Sequence, residues 1–242
     1  MYLWKWWREN RNRAFTYLIL LVSVAVLFAW NAVTQTQRPG DWAHGMSAEE
    51  LWRLTLIDFG SLIVVFAGLG LGAAGVGEEF AQGTVEFLLT RPRRRRYFVW
   101  AGWAAGAATL FIIISLAVLA SFVTLTYVMK SPSHWKLLAT IVPMFVLGVV
   151  VYSLTYLMTA LVKNGRAGLS LSLGLIVLDL LLPVAVQMRW RVDVPSPADV
   201  LAASKWATGA SAHFPVAAVL GWSLVALAFP LAAQFLFERA EV

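Results

Sequence analysis

The sequence contains no cysteine, and only 13% of its 242 residues are charged. The absence of cysteine excludes disulfide bonds, thiolate metal sites and a cysteine nucleophile. A soluble domain carries roughly 25% charged and roughly 45–50% apolar residues, whereas 60% of this sequence is apolar. This composition predicts an integral membrane protein.

Several chemical motifs are also missing. No GxxxxGK[ST] phosphate-binding loop occurs, so we do not expect this chain to hydrolyse ATP by that route. The sequence has no HExxH motif and no Ser/His/Asp set, and His44, His134 and His213 lie far apart without metal-ligand spacing. We therefore predict neither a catalytic site nor a metal site.

The net charge of +6 is compatible with two kinds of partner. A basic balance occurs in proteins that bind nucleic acid. Arginines beside long apolar runs are more often a topology signal and a contact for anionic lipids. We expect membrane lipids, and no nucleic acid, as partners.

Six apolar runs are long enough to cross a hydrocarbon core of about 30 Å as helices. They predict an all-α integral membrane protein with a single transmembrane domain over residues 1–242 and spans at about 14–33, 56–76, 97–129, 137–162, 167–187 and 215–237. Most lysines and arginines lie in the segments that would share a side with the two termini. The positive-inside rule therefore predicts a multi-pass protein with both termini in the cytoplasm.

Two shorter helices are predicted outside the membrane. Trp4, Trp6 and Trp7 alternate with Lys5 and Arg8, a pattern typical of a short interfacial helix, here leading into the first span. The Ser-Pro-Ala-Asp stretch at 196–199 has a capping serine, a proline at the first helical position and an acid in the first turn. It predicts a short extracellular helix before the sixth span.

The second predicted span is rich in glycine. Its residues 70–75 satisfy the GxGxxG pattern of dinucleotide-binding folds. That pattern requires a preceding strand and a βαβ unit, whereas this copy lies inside an apolar helix. We interpret these glycines as small residues that let helices approach closely.

The segment between the second and third spans is the longest strongly charged stretch of the chain. It begins with Glu78 and Glu79 and ends with five arginines between 91 and 96. Between them, an apolar stripe recurs at helical spacing at Phe80, Thr84, Phe87 and Leu88. The stripe fits either an amphipathic loop lying on the membrane surface or a helix that enters a groove on a partner.

This segment resembles a family signature. Its pattern is similar to the one that follows the second span in permease subunits of type-2 ABC exporters: Glu79-Phe80-x-x-Gly83-Thr84-x-Glu86-x-Leu88-Leu89-x-x-Pro92-x-x-Arg95. Six spans, an N-terminal interfacial helix and a long loop before the last span extend the resemblance over essentially the whole chain. The sequence departs from the family at Arg94, where serine is usual, and at Ala101-Gly102, where Gly-Lys is often found.

The resemblance implies a cytoplasmic coupling helix at about 78–90 that docks on a separate ATP-binding subunit. Two copies of that subunit would bind ATP and Mg, so this chain would hold no cofactor itself. A second permease copy or a paralogue would complete a homo- or heterodimer. The residues implied in coupling are Glu79, Phe80, Gly83, Thr84, Glu86, Phe87, Leu88, Leu89, Pro92 and Arg95.

The function that follows from the resemblance is ATP-driven export across a bacterial or archaeal cell membrane. The substrate would be amphipathic: a drug, an antimicrobial peptide or a lipid. Two alternatives remain at this point. One is an ATP-independent, ion-coupled carrier or channel that uses Asp179. The other is a membrane-embedded enzyme acting on lipid, for which the sequence offers no catalytic constellation.

Polar residues inside the predicted spans need partners. Asp179 lies deep in the fifth span, where an acid costs about 2.5–3.5 kcal/mol on insertion scales. It would either line a substrate path or pair with Arg189 or Arg191, or it would be neutral and hydrogen-bonded to a Ser or Thr of a neighbouring helix. Gln234, in the last span, is predicted to hydrogen-bond to another helix.

Overall fold

The computed structural model describes residues 2–36, 59–75, 79, 83, 95–128, 135–191, 195–202 and 214–239. The main helices are α1 (Tyr2–Thr36), α2 (Ser61–Gly72), α3 (Arg95–Val123), α4 (Ile141–Val162), α5 (Gly165–Trp190) and α6 (Val216–Arg239). A π-helical turn (Thr124–Val128) extends α3, and 3₁₀ helices precede α4 (Trp135–Thr140) and α6 (Pro197–Ala202). The described residues include no β-strand, which confirms the prediction of an all-α protein.

Five of these helical stretches are long and apolar enough to cross a membrane, counting only the described residues. They are Leu3–Asn31, Arg96–Tyr127, Leu137–Val162, Gly165–Arg189 and Val216–Arg239. Helix α2 is apolar but has only 12 residues, about 18 Å at 1.5 Å per residue. The second predicted span extends beyond α2 at both ends, into residues 56–58 and 76 that lie outside the described ranges. The sixth crossing thus remains a prediction.

Helix α1 is a single continuous helix of 35 residues. The short helix predicted over the tryptophan-rich start is therefore continuous with the first predicted span, which begins near residue 14, and its interfacial position stays a prediction. No glycine or proline occurs between Tyr2 and Thr36, so nothing interrupts the backbone hydrogen bonds there. The aromatic character of the start is retained: Trp4 and Trp7 are exposed, whereas Trp6 is buried.

Helices α1 and α2 lie side by side and run in opposite directions. Phe28 of α1 stacks near Phe59, just before α2, with ring centroids 5.3 Å apart. Farther along, the Arg13 Nη1 of α1 donates to the Gly70 carbonyl of α2 at 3.3 Å. Residues early in α1 therefore meet residues late in α2.

Helix α4 occupies the centre of the fold. It packs against α2, α3, α5 and α6, and most of its residues are buried. Tyr152 and Tyr156 are completely buried, and their hydroxyls donate to the Gly102 carbonyl at 3.2 Å and the Val99 carbonyl at 2.9 Å on α3. Because hydrocarbon offers no water, such buried hydroxyls must find protein partners.

The glycines of α2 make close contact with α4. A Cβ built at Gly68 would lie 2.9 Å from the Gly148 carbonyl oxygen, and one built at Gly72 would lie 2.7 Å from the Thr155 Cβ. Both distances are too short for a real side chain. The interpretation of these glycines as packing residues is thereby confirmed.

A polar contact joins α3 to α6. The Trp100 indole Nε1 donates to Gln234 Oε1 at 2.7 Å, and the Gln234 amide nitrogen donates to Glu238 at 2.9 Å. The predicted role of Gln234 as an interhelical hydrogen-bonding residue is confirmed.

The tight connection between α4 and α5 is set by two residues. Lys163 ends α4 with a left-handed φ of 55°, and Asn164 is extended. The Asn164 side chain accepts from the backbone N–H groups of Arg166 and Ala167 at 2.9 and 3.2 Å, which is N-cap geometry. This turn folds α5 back against α4.

We expect Gly72→Ala to lower the free energy of unfolding by about 1–3 kcal/mol, because the new methyl group would press on the backbone and side chains of α4. Gly221→Ala is the matched control, since a Cβ at Gly221 meets nothing within 4 Å. The control should leave stability unchanged or raise it by up to about 1 kcal/mol through helix propensity. Unfolding of the two variants in detergent micelles tests this, and equal stabilities would contradict the assigned contact.

Candidate functional site

The start of the predicted coupling segment is joined to α1 by an ion pair. The Lys5 ammonium group lies 2.8 Å from Glu79 Oε1 and 2.6 Å from Glu79 Oε2. These residues are 74 positions apart in the sequence, and Glu79 is only 8% exposed. A buried carboxylate of this kind requires a charged or hydrogen-bonding partner, and Lys5 supplies it through both oxygens.

Lys5 is also near a second acid on its own helix. Its ammonium lies 3.9 Å from Glu9 Oε1, one helical turn away. Such i,i+4 pairs contribute only about 0.3–0.5 kcal/mol when exposed. The shorter, less exposed contact with Glu79 is therefore the stronger restraint on the position of Lys5.

Gly83 has a backbone φ of +67°. This value lies in the left-handed region, which glycine adopts without steric cost and which is incompatible with a continuous right-handed helix. Gly83 itself is therefore a turn residue. The coupling helix over about 78–90 stays a prediction, since Glu79 and Gly83 are the only described residues in that range.

The remaining coupling residues from the sequence analysis are not all described. Arg95 is the first residue of α3, and its side-chain position is outside what the structure describes. The others lie outside the described residues altogether: Phe80, Thr84, Glu86, Phe87, Leu88, Leu89 and Pro92. Their role in coupling stays a prediction.

Asp179 lies within α5, and its described partner is a serine. Ser196 Oγ donates to Asp179 Oδ2 at 3.2 Å. The expected pairing with Arg189 or Arg191 is not seen among the described residues. Arg189 lies ten residues farther along the same helix, about 15 Å away, and Arg191 follows the end of that helix. The predicted alternative of a hydroxyl partner is thus the observed one, although Ser196 belongs to the loop before α6 rather than to a spanning helix.

Ser196 connects Asp179 to the 3₁₀ helix at 197–202. Its backbone N–H donates to Asp199 Oδ2 at 2.8 Å, and its carbonyl accepts from the Asp199 N–H at 2.9 Å. The predicted helix start is confirmed, but the stabilising side chain is Asp199. The Ser196 hydroxyl is directed to Asp179 instead.

A cavity of about 470 Å³ opens beside Asp179, between α2, α4, α5, α6 and the 3₁₀ helix. Its walls are almost entirely apolar, and Asp179 is the one charged residue among the described residues that line it. Pockets for small ligands commonly have volumes of roughly 300–1,000 Å³, apolar walls and a few polar groups. The cavity fits that description.

Sequence reasoning did not identify the Lys5–Glu79 pair or the Ser196–Asp179 hydrogen bond. The signal for the first was weak: opposite charges on segments that topology places on one side of the membrane. The signal for the second was stronger. An intramembrane acid requires a polar partner, and the Ser-Pro-Ala-Asp stretch lies in the loop that follows α5.

The profile of the family described as ABC-2 family transporter protein matches residues 33–242, which include all the described residues from α2 to α6. No curated protein matches the chain. Because the family match covers most of the sequence, the chain belongs to the ABC-2 transporter family, whose members are membrane components of ABC transporters.

Proposed function

We propose that this chain is the transmembrane permease subunit of an exporter whose ATP is hydrolysed by a separate ATP-binding subunit, present in two copies. A second permease copy or a paralogue completes the transporter. The protein lies in a bacterial or archaeal cell membrane, with both termini in the cytoplasm. Membership of the ABC-2 family supports the permease role. The partner copies and the outward direction follow from the resemblance, and the orientation follows from the positive-inside rule.

The observation that carries the coupling proposal is the Lys5–Glu79 ion pair. Glu79 begins the segment that the resemblance assigns to contact with the ATP-binding subunit, and its carboxylate is held on α1 by Lys5. Helix α1 has 35 residues, which gives it a length of about 52 Å. A displacement of the segment at Glu79 would therefore act on a rigid element longer than the bilayer core.

The other end of the segment leads into the centre of the protein. Helix α3 begins at Arg95 and is hydrogen-bonded to α4 through Tyr152 and Tyr156 and to α6 through Gln234. Movement of the segment would thus reach α1 at one end and the core helices at the other. This is the arrangement that mechanical coupling requires.

The amphipathic substrate is proposed to occupy the cavity beside Asp179. The walls of the cavity accommodate an apolar body, and the carboxylate accommodates one polar group. The same residue supports a second candidate, an ATP-independent, ion-coupled carrier or channel. That candidate requires transport by the purified chain alone in liposomes, abolished by Asp179→Asn, whereas the exporter requires the ATP-binding subunit.

Reversal of either charge of the ion pair should destabilise the protein. We expect Lys5→Glu or Glu79→Lys to lower the free energy of unfolding by about 1–3 kcal/mol, since each leaves like charges in contact at a partly buried site. The double variant restores opposite charges and should recover most of the loss. Unfolding in micelles and ATP-driven transport provide the two readouts. Additive losses in the double variant would show that the two side chains do not interact.

Gly83 provides a test of the turn in the coupling segment. Gly83→Val should reduce ATPase coupling because a β-branched residue strongly disfavours φ of +67°. Gly83→Asn should retain most of it, since asparagine tolerates the left-handed region. A Cβ at this position meets no described atom within 4 Å, so the two variants separate backbone conformation from crowding. Equal activity of the valine variant and the wild type would contradict a functional turn.

The coupling proposal itself is tested by co-expression with the ATP-binding subunit. We expect a stable complex with vanadate-sensitive ATPase activity, and loss of that complex on deletion of residues 80–89. Substitution of Gly221 by alanine is a suitable control because its environment is open. A deletion variant that still assembled and hydrolysed ATP in a transport-dependent manner would refute the assignment of the segment.

A further inference from the structure

The cavity beside Asp179 has a distinctive balance of charge. Among the described residues that line it, one is acidic, none is basic, and the polar hydroxyls come from Ser61 and Ser196. The remaining wall consists of aliphatic and aromatic side chains. An apolar volume of about 470 Å³ with a single carboxylate is complementary to a ligand that carries one positive charge on a hydrophobic body.

The carboxylate is held in place by the loop before α6. Ser196 donates its hydroxyl to Asp179 Oδ2 at 3.2 Å, while Asp199 fixes the Ser196 backbone at 2.8 Å. Ser196 itself is buried. This arrangement orients the Asp179 side chain through a hydroxyl, so its described partner brings no positive charge of its own.

Aromatic rings add a second feature that favours cations. Phe66 of α2 and both Trp222 and Phe229 of α6 line the cavity. The faces of aromatic rings attract a cation by about 0.5–1 kcal/mol at exposed sites and about 2 kcal/mol or more where water is excluded. Three rings and one carboxylate therefore surround the same volume.

The surroundings of the cavity do not reverse this preference. A second carboxylate, Asp199 of the 3₁₀ helix, is linked to Asp179 through Ser196 and adds negative charge. The nearest basic residue on α5 toward its C-terminal end is Arg189, about 15 Å along the helix from Asp179. An anion would meet repulsion from Asp179 with no described basic side chain in the wall to offset it.

We propose that this cavity is a binding site for lipophilic monocations, with Asp179 as the charge-recognising residue and the rings of Phe66, Trp222 and Phe229 as the walls that enclose the apolar groups. The proposal rests on the proposed function, because it specifies the chemical class of the amphipathic substrate. It also separates two kinds of amphiphile: cations are bound, and anions of the same size and shape are excluded.

The test uses a pair of probes that differ in the sign of their charge but have the same shape. Tetraphenylphosphonium is the cation, and tetraphenylborate is the anion. Binding of each to the purified full-length chain in detergent micelles is measured by equilibrium dialysis, with binding to protein-free micelles subtracted. We expect saturable binding of tetraphenylphosphonium and, for tetraphenylborate, affinity weaker by about tenfold or more.

Variants then assign the selectivity to Asp179. Asp179→Asn should weaken tetraphenylphosphonium binding by about tenfold while leaving tetraphenylborate binding no weaker than before, since only a cation loses its countercharge. Asp179→Glu keeps the charge and should retain most of the affinity. Trp222→Ala should weaken cation binding by several-fold.

Glu238→Gln, which removes a carboxylate at the far end of α6, is the matched control and should bind like the wild type. The elution volume and helical content of each variant show that it is folded.

Several outcomes would overturn the proposal. They are equal affinity of the wild type for the two probes, an unchanged affinity of folded Asp179→Asn for the cation, and an equal loss of both probes in that variant. Binding is measured on the permease alone, without ATP or a partner. A negative result therefore refutes the cation site and leaves the ATPase-coupling experiments unaffected, whereas failure to assemble with an ATP-binding subunit leaves the binding result intact.

Discussion

The close approach of α2 to α4 is the contact on which the rest of the described fold depends. It exists because Gly68 and Gly72 have no side chain where the backbone and side chains of α4 are nearest. Lipid tails are as apolar as the helix surfaces, so hydrophobic burial gives little preference for one helix pairing over another inside a membrane. Packing between small residues supplies that preference, and α4 becomes the element that α2, α3, α5 and α6 share.

Hydrogen bonds fix the positions of the helices around α4. The hydroxyls of Tyr152 and Tyr156 bind to carbonyls of α3, and the Trp100 indole binds to Gln234 of α6. In hydrocarbon each of these donors would be costly if unpaired. The polar residues of the core therefore determine how the helices are rotated, whereas the apolar surfaces facing outward place few restrictions on the sequence.

The sequence predicts the helical class, the polar role of Gln234 and six apolar spans, five of which are long helices among the described residues. Length and hydropathy are properties of single segments, which is why these features are predictable. It does not show where an interfacial stretch ends and a membrane span begins, because the two differ in their surroundings and not in their backbone preference. The turn at Gly83 is not predictable from periodicity, because a glycine with positive φ can lie between residues that have helical spacing. Long-range partners were the least predictable. Lys5 and Glu79 are 74 residues apart, and opposite charge alone does not select one pairing among many.

The antiparallel contacts of α1 and α2 have a consequence for the number of times the chain crosses the bilayer. Phe28 meets Phe59 at one level, and Lys5 meets Glu79 at another. Along α1 these levels are about 35 Å apart, which exceeds a hydrocarbon core of about 30 Å. Two residues in direct contact share one face of the membrane, so we expect an even number of crossings between Lys5 and Glu79. The predicted second span, which contains the apolar helix α2, would supply the return crossing that this expectation requires.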